Sequence, residues 1–301
     1  MSGQEARAQL YRQAIRAAAL GWVVNAMLGA VKLTAGLATE SFALLSDALN
    51  SVGDVVTSSV ILFALRFAQR PPDAEHPYGH SRAEAIAASN VALLVILSAV
   101  RVGWAAIQHL WVVHPVPPSW TLAIAAGNVV IKECLYQYKV RVGRRTGSSA
   151  LLANAWDHRS DALCSLAVLI GLSIVRWGGP SWIAADEVSA LVVVAAIFWS
   201  AGKLFMSSIS ELMDVQADPE FVQRVRAAAC SHTGVRGVEK LWLRKSGLEY
   251  FADLHLEVDP QLTVAEGHRI GHSVKDGLLR EFPSLRDVLI HLEPDRTAGT
   301  P

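Results

Sequence analysis

The sequence predicts an α-helical membrane protein: six transmembrane helices followed by a small α+β domain of order α-β-β-α-β. Apolar stretches that match a bilayer core of about 30 Å, which takes about 20 helical residues, recur six times before Ser208. Hydrophobic residues make up 52% of the chain and mean hydropathy is +0.31, yet charged residues reach 18%, so a soluble part must accompany the apolar one. Charge is also unevenly placed. It is sparse from Gly21 to Leu65 and from Val91 to Ile131, and dense from Glu211 onward.

The six spans run over Ile15–Ala38, Phe42–Phe67, Ala83–Trp111, Thr121–Tyr138, Ser149–Arg176 and Ile183–Ser207. Runs such as Val91–Val100 and Leu191–Trp199 are too long and too uniformly apolar for one-sided burial in a soluble core. The N-terminus is polar to Arg16, and the apolar stretch after it holds Asn25 and Lys32 where a cleavable signal would need small residues. Lys and Arg mark the cytoplasmic side. Arg7, Arg12 and Arg16 lie in the N-terminal arm, Arg66, Arg70 and Arg82 around the second connection, and Lys139, Arg141, Arg144 and Arg145 in the fourth. The stretches Thr39–Ser41 and His114–Ser119 have none, so both termini are expected in the cytoplasm. Trp111, Trp120, Trp177 and Trp182 would form an aromatic belt at the opposite interface.

Beyond Ser208 the pattern changes. Pro219–His232 has helical spacing, Gly237–Gly247 and Tyr250–Asp259 alternate as strands around a turn at Ser246-Gly247, Val264–Phe282 is an amphipathic helix, and Asp287–Leu292 a last strand. The expected organisation is therefore a transmembrane domain over 1–208, a cytoplasmic domain over 209–295 and a disordered tail over 296–301.

Several function classes drop out. With 27 basic and 27 acidic residues the chain is formally neutral, and no basic field argues for nucleic acid. The three cysteines, Cys134, Cys164 and Cys230, form neither a disulfide framework nor a CxxC motif, and the two in apolar runs read as packing residues. No HExxH, GxSxG or Ser-His-Asp constellation supports an enzyme, and nothing calls for an organic cofactor.

The chemistry lies in two short fragments inside the second and fifth spans, Asn50-Ser-Val-Gly-Asp54 and Asp157-His-Arg-Ser-Asp161. Ionisable groups at membrane depth are costly and persist chiefly where they serve function. Residues four apart stack on one helical face, so two such faces turned together present Asn50, Asp54, Asp157 and Asp161 around one point, a cation site. Asp47, seven residues before Asp54, lies on nearly the same face and could substitute for Asn50. Asn50 could instead bond a neighbouring helix. His158 points about 100° away from Asp157, which suits a proton relay or packing role. The loop holding Asp73, His76 and His80 beside a Pro-Tyr-Gly turn is a second candidate metal site, against the alternative of a solvated loop.

The strings Ser46-Asp-Ala-Leu-Asn-Ser-Val-Gly-Asp54, His76-Pro-Tyr-Gly-His80-Ser-Arg-Ala-Glu84 and Asn154-Ala-Trp-Asp-His-Arg-Ser-Asp161, with six spans and the α-β-β-α-β tail, resemble the cation diffusion facilitator family over about residues 10 to 295. The resemblance implies a homodimeric exporter in a bacterial-type inner membrane that exchanges a divalent metal for protons. Its transport site would be Asn50, Asp54, Asp157 and Asp161, a choice that leaves Asp47 a structural group. Many zinc-transporting members carry His where this chain has Asp157; here the set is one amide and three carboxylates. Oxygen ligands suit manganese, and imidazole suits zinc. The set resembles the manganese-exporting branch, so manganese ranks first, with ferrous iron, zinc, cobalt and nickel behind. Protons would compete for the carboxylates, foremost Asp157 and Asp161. The resemblance further implies an ion pair of Arg82 with Asp214, and a cytoplasmic metal site from His255, His268, His291 and Glu293, with Glu239 standing where relatives have another His. A membrane sensor or scaffold that binds metal without moving it is the rival class.

Overall fold

A computed structural model of the chain describes residues 3–38, 42–109, 119–178 and 185–295. Six long helices come first: α1 (Gly3–Ala38), α2 (Phe42–Ala68), α3 (Ala83–His109), α4 (Ser119–Thr146), α5 (Ser149–Gly178) and α6 (Ala185–Leu212). The tail follows as α7 (Pro219–Cys230), β1 (Gly237–Ser246), β2 (Glu249–Val258), α8 (Val264–Glu281) and β3 (Leu285–Pro294). An α-helical membrane part followed by a small α+β domain is thus the observed class. Two compact units form: Gln13–Phe67 with Ala83–Ile209, and Ala68–Arg82 with the first turns of α1 and the chain from Ser210.

The helical unit is built on small residues. Ala14, Ala17, Ala18, Ala64, Ala87, Ala88, Ala150 and Ala153 are buried together with Ile61, Leu65, Val91 and Leu151. Without a hydrophobic drive between helices in lipid, close backbone approach through small side chains supplies the packing. At Gly143 on α4 a Cβ would press into Leu152 of α5, so that crossing depends on glycine. Large apolar residues face outward instead, among them Met27, Val31, Phe63, Leu97, Trp104, Val192 and Trp199. Lipid, not water, can solvate such a surface. Among the described residues Arg7–Thr34, Ser51–Ala68 and Ala83–Ala105 are long and apolar enough to cross a membrane.

The N-terminal arm is helical from Gly3. Two expectations need correction. Helix α4 continues past Tyr138 to Thr146, so Lys139 is a helical residue and fully buried, not a charge in a connection. Cys134, expected to pack, is exposed. The tryptophan belt and the last residues, 296–301, lie outside the described side chains.

In the tail, β1 and β2 pair antiparallel through a turn containing Gly247 at φ 61, and β3 joins β2 in parallel, giving the order β1-β2-β3. Alternation places Leu241, Leu243, Ala252, Leu254, Leu256, Leu285 and Val288 in one core with Val225 of α7 and Val274 and Leu278 of α8. Asp218 caps α7 by accepting from the Glu220 N–H at 2.9 Å, with Pro219 at the first helical position. A capping box between Thr263 and Glu266 starts α8.

Candidate functional site

The helical ladder sets the spacing of the candidate ligands. On α5, Asp157 and Asp161 are one turn apart, and on α2 Asp54 lies toward them. The three carboxylates line one cavity of about 450 Å³ between α2, α3 and α5, whose other walls include Thr57, Ser98 and Ser160. Asn50 lies within α2, but its side chain, like that of Asp47, is outside the described residues. Asp157 Oδ2 is buried and has no hydrogen-bond partner among the described residues. A buried carboxylate oxygen left open in this way is acceptor capacity for a cation.

The residue that joins the helices is one the sequence reading passed over. Lys132 of α4 places its Nζ 2.6 Å from Asp54 Oδ2 and 2.8 Å from Asp161 Oδ2, with its side chain only 2% exposed. A signal did exist: a lysine in the middle of an apolar span is as costly as an aspartate there. Farther along α4, Lys139 meets Asn154 and lies 2.7 Å from His158 Nε2. Gly21 makes room for it, because a Cβ there would coincide with the Lys139 ammonium. Asn154 also approaches Ser58 Oγ at 3.5 Å, and Asn25 donates to the same oxygen at 3.2 Å. His158 is therefore tied into a buried polar cluster on a different face from Asp157.

The loop before α3 gathers Asp73, His76 and His80 so that one ligand atom from each lies within 4.8 Å of the others. His76 Nδ1 and His80 Nε2 each lie 3.3 Å from an Asp73 carboxylate oxygen. The backbone N–H groups of Glu75 and His76 donate to Asp73 Oδ1 at 3.1 and 2.7 Å. The His76 backbone bond above all holds the Asp73 carboxyl below its ordinary pKa. Gly79 takes φ 86, and its N–H closes the turn onto the His76 carbonyl at 2.9 Å. Nearby, Arg82 contacts Asp214 directly, both about half exposed. Asp214 sits at φ 58 after the end of α6.

The tail residues divide. Register pairs His255 with His291 and Glu257 with Glu293, so the two imidazoles stand side by side with ring centroids 4.9 Å apart. Glu293 Oε1 lies 3.3 Å from His255 Nδ1 and 3.2 Å from His291 Nε2. Glu239 stays at the margin, 3.8 Å from His255. His268 is not brought to this group: it meets His272, one turn away along α8, edge to face with ring centroids 4.5 Å apart. Helical position, rather than strand register, governs where it points.

Residues 18–213 match the model of the cation efflux transmembrane domain and residues 217–295 that of the cation efflux protein cytoplasmic domain. The chain belongs to the cation diffusion facilitator family. This facilitator is 30% identical to the manganese efflux system protein MneP of Bacillus subtilis over 283 residues, 93% of this chain and 95% of the relative. It is 32% identical to the magnetosome protein MamB of Paramagnetospirillum magneticum over 265 residues, 88% of each chain. To the cation-efflux pump FieF of Citrobacter koseri it is 30% identical over 282 residues, 93% of this chain and 92% of that one. As a cation diffusion facilitator it is an integral membrane protein that exports divalent metal cations, a transporter and not an enzyme.

Proposed function

We propose that this facilitator is a homodimeric metal/proton antiporter of a bacterial-type inner membrane, termini in the cytoplasm, whose first substrate is Mn2+. Support comes from one observation above all: Asp54, Asp157 and Asp161 share a cavity whose described wall residues include no imidazole. An oxygen-only set gives zinc none of the advantage that nitrogen and sulfur ligands would, and suits manganese. Similarity to a manganese efflux protein points the same way. Ferrous iron and zinc are the next substrates in rank. Asn50 would complete the site from α2. Metal would bind between α2 and α5, which rock to expose it on either side in turn, while protons entering from outside compete for Asp157 and Asp161. The domain over 209–295 would pair two protomers, with Arg82 and Asp214 fixing the hinge beside it.

Purified protein in vesicles under an imposed pH gradient tests this reading with Mn2+, Fe2+, Zn2+, Co2+ and Mg2+. Asp54→Ala and Asp161→Ala are each expected to abolish Mn2+ uptake while the protein stays folded. Near wild-type flux in either variant would overturn the site. Intact Mn2+ binding with no flux in the wild type would favour a sensor or scaffold.

A further inference from the structure

Within the proposed transport site, one charged group has no part in holding metal. Lys132 reaches from α4 to carboxylates on two other helices, Asp54 at 2.6 Å and Asp161 at 2.8 Å. Burying an ammonium costs much unless opposite charge and hydrogen bonds compensate it. Here the neighbouring Asp157 keeps a buried oxygen without a partner among the described residues, and the cavity opens beside all three acids. The cluster has spare capacity for a cation and holds a cation of its own.

We propose that Lys132 is the resident counter-cation of the transport site: its ammonium bridges Asp54 and Asp161 in the metal-free protein, and an incoming dication must displace it. This rests on the reading that these carboxylates bind the transported metal. A metal ion sits about 2.0–2.2 Å from carboxylate oxygens, so it claims the same lone pairs that the ammonium occupies. Like charges so close repel strongly in a poorly screened site. No proton need leave Lys132, because its four-carbon stem lets the charged head swing aside. Two consequences follow. The empty carrier keeps its carboxylates neutralised and its helices α2, α4 and α5 tied together, and the returning ammonium helps expel the metal on release. Lys132 is thus a positioning residue that trades affinity for turnover.

The test separates the two halves of that trade with Mn2+ as the probe. Lys132→Met keeps the length of the side chain and removes its charge. Calorimetry on the purified dimer should show Mn2+ bound about tenfold tighter or more once the competing charge is gone. Vesicle flux should show a lower KM paired with a lower kcat, because binding tightens and release slows, a pairing that loose packing would not produce. Lys132→Arg keeps the charge but grips carboxylates with a planar fork that is harder to displace, so it should bind Mn2+ more weakly than wild type. Unchanged or weaker Mn2+ binding in a folded Lys132→Met protein would overturn the proposal. If that variant does not fold, Lys132→Arg decides: affinity equal to or above wild type would overturn it. Asp161→Asn serves as the control on the underlying reading. Should that variant still bind and carry Mn2+ normally, the site itself is misplaced, whatever the lysine variants do.

Discussion

At Asp157 the choice of one side chain carries the proposed selectivity. Its carboxylate lines the cavity with an oxygen that no described residue satisfies. Asp157→His would supply an imidazole, which the described walls of this cavity lack, while keeping the position on α5. Ligand type is one of the few levers a protein has against the general order of divalent affinities. The expected outcome is a shift of preference from Mn2+ toward Zn2+ in competition flux assays; an unchanged ratio would assign selectivity to geometry or gating. Lys139 shows how context decides what a residue of given type does. Burial against Asn154 and His158 makes it part of the helix-packing interior, although its type and place in the chain mimic an orientation signal.

At the level of single elements, the tail depends on its helix starts as much as on its core. In α8 the Thr263 hydroxyl accepts from the Glu266 N–H, and Glu266 Oε2 in return receives the Thr263 N–H and hydroxyl at 2.9 and 2.7 Å. Those bonds, that from the hydroxyl first, hold the Glu266 carboxyl below its ordinary pKa. A carboxyl lowered on folding stabilises the fold above its unfolded pKa, and loses that contribution as pH falls through the folded value. The Glu266 share of the melting stability of the isolated tail, 209–295, should therefore be level through neutral and mildly acidic pH and decline below the ordinary glutamate range, so Glu266→Gln should remove that part of the acid decline. Thr263→Ala should cost about 1 kcal/mol at neutral pH, the usual worth of an N-cap. A melt unaffected by Thr263→Ala would show that packing on the sheet alone fixes the start of α8.

On the scale of the whole molecule, candidate metal ligands among the described residues fall in three places: the carboxylates of α2 and α5, the loop before α3, and the imidazoles of β2 and β3. Only the first lies among membrane helices. A metal at His255, His291 and Glu293 cannot itself cross the bilayer and can act only by biasing the conformation of the part that does. The double variant His255→Ala with His291→Ala should lose metal-induced compaction of the tail, followed by scattering, and still carry Mn2+ at a reduced rate. Complete loss of transport would refute a regulatory role. Because Glu239 is marginal and His268 is turned to His272, the tail should hold a single weakly bound ion per protomer; tight binding of two by calorimetry would refute that.

Much of this architecture was legible from local patterning. The order of the helices, the switch to alternating residues after Gly237, the turn at Gly247 and the spacing of Asp54, Asp157 and Asp161 all follow from periods of a few residues, which a linear sequence displays directly. That His291 and Glu293 share a face was also within reach, since alternation along one strand fixes it, whereas the register that sets His255 beside them is tertiary. What tertiary structure alone decided is which faces meet. Lys132 and Asp54 are 78 residues apart, and nothing in the period of either helix says that α4 turns its lysine between α2 and α5. Small side chains at positions such as Gly21 and Gly143 set how closely and in what rotation those helices pack. An ammonium and two carboxylates that cost much to bury singly become tolerable only once that packing brings them together.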